Sequence, residues 1–157
     1  MSERKDHPGV IAPPPLVFVG FLALGLAVDH FVSGPSFGLP LAFRAGGAAI
    51  LGALALWIVG AAIGLFHAAG TSARPWKEST AIVTTGIYGL TRNPMYLSMA
   101  MLFAGVALAL DSLIALMFLA PALLVIEFGV IRREERYLEA KFGDEYRRYK
   151  AQVRRWF

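Results

Sequence analysis

Residues 83–96 read VTTGIYGLTRNPMY and lie between two apolar halves of the chain. The stretch combines two turn-forming glycines, Gly86 and Gly89, with an arginine and two tyrosines. Its Asn93-Pro94 pair predicts a helix start, because proline is favoured at the first helical position. A helix that begins there leaves its first-turn amides free to face a ligand, and glycine lets the backbone approach one closely. We therefore expect this loop to form one wall of a cofactor pocket.

The sequence on either side of this loop is too apolar for a soluble domain. Of the 157 residues, 57% are hydrophobic and only 17% are charged, and the mean hydropathy is +0.58. Because a helix needs about 20 apolar residues to cross the hydrocarbon layer, there is room for one domain of about four spans. The chain has no cysteine, which excludes disulfides and a thiol nucleophile. No metal site is predicted.

The predicted fold is an all-α integral membrane protein with four transmembrane helices and a cytoplasmic, amphipathic C-terminal helical segment. A single domain, 1–157, would comprise a flexible lead-in (1–15), a four-span bundle (16–131) and a helical tail (132–157). The four apolar runs are residues 16–32, 45–66, 95–110 and 113–131.

Two short patterns predict how these spans meet. Asp111 and Ser112 separate the last two runs, which favours a hairpin turn with Ser112 as the N-cap of the fourth helix. Gly60 and Gly64 form a small-xxx-small pair in the second run, which favours close approach of another helix.

The positive charges are distributed unevenly about these spans. Of the 15 Lys and Arg residues, all but Arg44 lie in the lead-in, the central loop or the tail. The positive-inside bias therefore predicts that both termini and the central loop are cytoplasmic. Trp76 in the loop is expected to be an interfacial anchor.

The tail carries one apolar stripe at helical spacing. Its members are Leu138, Phe142, Tyr146, Tyr149, Val153 and Trp156, with charged residues on the opposite face. Gly143 favours a break in this helix. Such a tail either lies along an anionic membrane surface or folds back over the central loop, and the sequence leaves both possibilities open.

An acidic pair, Glu134 and Glu135, follows the fourth run. In a regular α-helix, Glu127 and Glu134 share one face with Ile131 between them. A carboxylate held there accepts charge-assisted hydrogen bonds from an ammonium group or from ribose hydroxyls. The alternative is that residues 132–136 are a solvated, mixed-charge helix surface.

Several motifs now stand in an order that resembles a known family. They are Gly86-Ile87-Tyr88, Arg92-Asn93-Pro94-Met95-Tyr96, the helical hairpin, Glu134-Glu135, and Phe142-Gly143-Asp144-Glu145-Tyr146 followed by Tyr149. Over residues 80–157 the chain resembles the C-terminal half of the isoprenylcysteine carboxyl methyltransferase family. That family is part of a wider group of integral membrane methyltransferases that includes the phospholipid N-methyltransferases.

The resemblance implies a methyltransferase that uses S-adenosylmethionine at the cytoplasmic face. The implied acceptor is lipid-like or lipid-anchored, with a carboxylate or similar anion favoured and a phospholipid amine as the alternative. The cofactor contacts implied by position are Ile82, Val83, Tyr88, Asn93, Pro94, Met95, Tyr96, Glu134 and Glu135. These residue types suit a sulfonium ligand with an adenine ring, which needs apolar and aromatic walls and one carboxylate for its amino group.

Two positions depart from the family pattern. The family has Arg-His-Pro where this chain has Asn93 in the middle position, and an asparagine side chain does not titrate near neutrality. Eukaryotic members carry an arginine four positions before the equivalent of Glu134, where this chain has Val130.

The chemistry of methyl transfer indicates which residues could act on the acceptor. Arg92 is expected to orient an anionic acceptor, and Glu127 is the candidate base for a neutral one. Arg132 and Arg133 are the candidate substrate-binding residues in place of the missing arginine. A different class of function is a non-enzymatic membrane scaffold whose tail binds lipid or a partner. Nucleic acid is not an expected partner, because the basic residues of the tail alternate with acidic ones.

Overall fold

The structure is a computed structural model that describes residues 8–72 and 79–156. Every regular element in those two ranges is helical. The helices are α1 (Pro14–Val32), α2 (Leu41–Ala68), α3 (Pro94–Ala109), α4 (Leu113–Met117), α5 (Leu119–Ile126), α6 (Arg132–Phe142) and α7 (Asp144–Gln152). A 3₁₀ turn, Gly86–Gly89, precedes α3, and a π-helical turn, Glu127–Ile131, joins α5 to α6. Trp76, the expected interfacial anchor, lies outside the described residues.

Three of the four predicted spans are long and apolar enough to cross a membrane. They are α1, α2 and the segment Leu113–Phe142, which contains α4 to α6. Helix α3 has 16 residues and therefore rises only about 24 Å, short of the ~30 Å hydrocarbon layer. It is short because it begins at Pro94 and stops at the Asp111 turn. The last helical segment also continues past residue 131, the expected end of the bundle, as far as Phe142.

Small residues let the helices of the bundle approach one another closely. A Cβ on Gly25 of α1 would lie 2.9 Å from the Cα of Ala115 in α4, and a Cβ on Gly105 of α3 would lie 3.5 Å from the Ala48 carbonyl of α2. The prediction that Gly60 and Gly64 serve this purpose is wrong for the described chain. A Cβ at either position would meet nothing within 4 Å, because both face outward from α2.

One end of the bundle is closed by a hairpin turn centred on Asp111. This residue adopts a left-handed conformation with φ 59°, and the Ser112 hydroxyl accepts a hydrogen bond from the Ala115 amide. The Asp111 carboxylate accepts from the Phe37 amide at 3.0 Å and pairs with Arg44 at 3.4 Å. The predicted turn and N-cap are therefore confirmed, and the α1–α2 connection lies at the same end.

The π-helical turn changes which side chains face the site. An extra residue in one turn rotates the side chains of all following helical residues by about 100° relative to a regular α-helix. The prediction that Glu127 and Glu134 share one face is therefore wrong. The wide turn instead receives the N-terminal segment, since the Ile11 amide donates to the Gly129 carbonyl at 3.3 Å. Nη1 of Arg133 holds the same segment through the carbonyl of Gly9 at 2.9 Å.

The tail folds back over the central loop. It breaks at Gly143, where φ is 57°, and α7 then runs to Gln152. The Tyr149 hydroxyl donates to the Tyr88 carbonyl at 2.7 Å, and Trp156 packs against the main hydrophobic core. Of the two arrangements that the sequence left open, the structure has the one in which the apolar stripe covers the loop.

Candidate functional site

A cavity lies where the central loop, the start of α3, α6 and α7 meet. Its volume, including the open space at its mouth, is about 830 Å³. The predicted residues that line it are Ile82, Val83, Tyr88, Arg92, Asn93, Pro94, Met95, Tyr96, Glu134 and Glu135. Residues separated by about forty positions in the chain are thus brought together around one space. All the predicted cofactor contacts, with Arg92, belong to this set.

Tyr96 holds the first of the two glutamates. Its hydroxyl lies 2.9 Å from both carboxylate oxygens of Glu134, and the tyrosine is buried at 7% exposure. Within residues 8–72 and 79–156, Glu134 has no ion pair with a lysine or arginine. Its carboxyl group is therefore oriented by a neutral donor, and no described lysine or arginine engages it.

Glu135 is in a different electrostatic environment. Nε and Nη2 of Arg155 donate to its two oxygens at 3.0 and 2.6 Å, a bidentate pair. Nη1 of Arg92 lies 3.0 Å from one of the same oxygens. Two guanidinium groups thus surround this buried carboxylate, so the adjacent glutamates have different partners despite their identical side chains.

Arg92 provides the cavity with a cation. Its side chain is only 9% exposed, and its guanidinium lies against Glu135. Nε of Arg92 is buried and has no hydrogen-bond partner in the described part of the chain. Because an unpaired buried donor is unfavourable, the side chain favours a ligand that brings an acceptor to it.

All five tyrosines of the chain line the cavity. Two of them, Tyr88 and Tyr96, were predicted as site residues. Tyr137, Tyr146 and Tyr149 were not, although the last two belong to the apolar stripe of the tail. Burial raises the pKa of Tyr146 to about 12 and raises that of Tyr88 and Tyr149 well above the ordinary value. These three hydroxyls are consequently neutral at physiological pH.

The start of α3 presents backbone donors to the same space. The Asn93 side chain does not cap the helix, and its Nδ2 donates to the Arg155 carbonyl at 3.0 Å. Pro94 has no N–H, and the first α-helical bond of this end runs from the Leu97 amide to the Asn93 carbonyl. The amides of the first turn therefore remain available to an anionic group, as the Asn-Pro pair predicts.

Gly86 has a structural role that differs from the expected one. Its φ is +59°, and a Cβ there would lie 2.9 Å from Cδ1 of Leu65. Neither Gly86 nor Gly89 lines the cavity. The glycine therefore permits a left-handed turn against α2, and the expectation that it brings backbone close to a ligand is wrong.

Three predicted residues lie away from the cavity. Glu127 pairs through one oxygen with Arg155 and with Arg132, and it does not line the cavity. Arg132 is half exposed, and Arg133 is bonded to the N-terminal segment. The structure thus does not place the candidate base or the two candidate substrate-binding arginines in the lining. Arg155 was missed because nothing in the sequence distinguishes it from the other basic residues of the tail.

Comparisons with known proteins agree with this description. A family model described as phospholipid methyltransferase matches residues 43–145. An uncharacterised protein of Haemophilus influenzae is 50% identical over 62 residues, which are 40% of this chain and 98% of that protein. No solved structure matches the chain. Because the family model covers well over half of its length, the chain belongs to the phospholipid methyltransferase family of membrane methyltransferases.

Proposed function

We propose that this protein transfers a methyl group from S-adenosylmethionine to a lipid-like or lipid-anchored acceptor that carries an anionic group. The observation that carries the proposal is the meeting of the central loop with Glu134 across one cavity. Family membership supports the reaction type, and it argues against the non-enzymatic scaffold. The charge asymmetry of the sequence supports a cytoplasmic site with both termini on the same side.

The residues present fit the proposed cofactor. Glu134, which lacks a cationic partner in the described chain, suits the amino group of the methionine moiety. The free amides at the start of α3 suit its carboxylate. Tyrosine faces suit the sulfonium, and Ile82 and Val83 offer apolar contact to the adenine ring. When bound, S-adenosylmethionine supplies an electrophilic methyl group.

The contribution of the chain itself is mainly alignment and exclusion of water. Bringing an acceptor into line with a methyl group accounts for much of the rate of such a transfer. Arg92 orients the anionic group of the acceptor, since it is the arginine that lines the described cavity. Val130, at the position of the family's substrate arginine, is fully buried in the core. Arg92 therefore takes the place that Arg132 and Arg133 were expected to take.

A phospholipid amine is the second candidate acceptor. The family match favours it, and the phosphate of such a headgroup offers Arg92 an anion just as a carboxylate does. The two acceptors differ in proton chemistry, because an amine must lose a proton before it is methylated whereas a carboxylate needs no base.

The test is methyl transfer by purified protein in mixed micelles with isotopically labelled cofactor. One arm contains phosphatidylethanolamine and the other a farnesylated cysteine analogue, and mass spectrometry identifies the labelled product. We expect saturable cofactor binding that Glu134→Gln weakens, with Arg147→Ala on the exposed tail as the matched control. Saturable binding with no label in either arm would refute the acceptor class, whereas absence of binding would refute the methyltransferase pocket.

A further inference from the structure

We propose that Arg155 is a positioning residue that joins the two walls of the cavity and, through Glu135, fixes the guanidinium of Arg92. The inference deepens the proposed function, because it concerns how the same site is held for its acceptor. It assigns an active role to a residue at the end of the tail, two positions from the C-terminus.

The side chain of Arg155 contacts the last membrane-length segment, Leu113–Phe142. Its Nε and Nη2 form the bidentate pair with Glu135, and its Nη1 pairs with Glu127 on the π-helical turn. One guanidinium therefore connects a carboxylate on the π-helical turn with one on α6. A planar fork with three engaged nitrogens fixes orientation in a way that a lysine ammonium cannot reproduce.

The backbone of the same residue reaches the opposite wall. The Arg155 carbonyl accepts hydrogen bonds from Oγ1 of Thr91 and Nδ2 of Asn93, each at 3.0 Å. The neighbouring carbonyl of Arg154 accepts from the Arg92 amide at 3.1 Å. The tail thus lies alongside residues 91–93, and the loop that carries Arg92 is held where α3 begins.

Together these contacts determine the position of the Arg92 side chain. Arg92 is held at its backbone by the Arg154 carbonyl and at its guanidinium by Glu135, which Arg155 orients. Glu134 is held separately by Tyr96. Loss of the Arg155 side chain should therefore disturb recognition of the acceptor anion much more than recognition of the cofactor. A purely structural residue would weaken both.

The first arm of the test uses hydrogen exchange and does not depend on catalysis. Full-length wild type, Arg155→Lys and Arg155→Ala are compared with Arg148→Ala, which removes an equal charge from an exposed position of the same tail. We expect exchange of the amides of residues 90–92, where the Arg92 amide bonds the Arg154 carbonyl, to speed up about tenfold or more in the Arg155 variants and to stay unchanged in the control. Unchanged exchange in both Arg155 variants would overturn the link between the walls.

The second arm measures steady-state kinetics and cofactor affinity. We expect Arg155→Lys, which retains the charge, to raise the KM for acceptor about tenfold while the Kd for cofactor changes less than about threefold. In an Arg92→Ala background the same substitution should have little further effect, because coupled residues are not additive. Equal losses in both affinities, or additive effects, would overturn the positioning role. If wild type methylates no acceptor, the proposed function has failed, and the exchange arm alone decides whether Arg155 joins the walls.

Discussion

Replacement of glutamate by glutamine should affect cofactor affinity at position 134 and stability at position 135. Glu134→Gln removes a carboxyl group that no described lysine or arginine engages, while glutamine keeps an oxygen that accepts from Tyr96. Glu135→Gln removes the charge that balances Arg92 and Arg155 in a buried site. We expect the first variant to lose cofactor affinity at nearly unchanged stability, and the second to lose stability.

The magnitudes follow from these contacts. A hydrogen bond to a charged group contributes roughly 1.5–3 kcal/mol, so Glu134→Gln should weaken cofactor binding about ten- to a hundredfold. Removing one partner of a buried ion pair costs about 3–5 kcal/mol. Because Arg155 is 28% exposed, the lower end applies to Glu135→Gln. At about 2–4 °C per kcal/mol for a chain of this size, Tm should fall by roughly 6–12 °C.

Two measurements on the same detergent-solubilised samples separate these outcomes. Calorimetric titration gives the Kd for cofactor, and tryptophan fluorescence on heating gives Tm. Binding is measured well below the Tm of the less stable variant, so that unfolding does not mimic lost affinity. If Glu135→Gln weakens binding more than Glu134→Gln at an unchanged Tm, the assignment of separate functions to the two carboxylates is wrong.

Three further predictions concern the fold around the site. Gly25→Ala places a methyl group against the α4 backbone and should lower stability by about 1–3 kcal/mol. Gly60→Ala, on the open face of α2, should be neutral or stabilising by up to ~1 kcal/mol. Thermal melts of the two variants measure the difference. Tyr149→Phe should cost about 1–3 kcal/mol, since it leaves the Tyr88 carbonyl unpaired, and equal melting of variant and wild type would contradict the bond. Burial raises the pKa of Tyr88, Tyr146 and Tyr149. The contribution of these neutral hydroxyls to folding stability is therefore complete below about pH 10 and falls as the pH rises, by up to ~1.4 kcal/mol per pH unit for each tyrosine. Thermal melts from pH 9 to 11, a range about the ~10 of free tyrosine, should show a shallower decline of Tm for Tyr149→Phe than for wild type.

Much of the cavity was predictable because its chemistry is concentrated in short motifs. The loop at 83–96 carries glycines, tyrosines, an arginine and a helix start within one stretch, and such local patterns predict local structure. The Asp111 turn and the Ser112 cap were predictable for the same reason. In each case the residues that decide the backbone conformation are neighbours in sequence.

The errors arise where the determining contacts are distant in sequence. Spacings of three and four assume a regular α-helix, so the face assigned to Glu127 was wrong once a π-helical turn intervened. That turn is paired with Ile11, more than a hundred positions earlier. Similarly, the glycine pair at 60 and 64 satisfies a packing pattern, but the described chain brings no helix to that face.

The location of these errors indicates how the site is organised. Residues that contact the proposed ligands, such as Glu134 and Tyr96, have side chains whose chemistry is informative on its own. Arg155 contacts other protein groups, so its role depends on the direction that the chain takes after α7. The amino-acid composition of the tail does not indicate that direction. The tail therefore belongs to the proposed site, because Arg155 near its end pairs with Glu135 in the cavity wall. A chain shortened before Arg155 would retain every predicted cofactor contact and lose the guanidinium that orients Glu135, and through it Arg92.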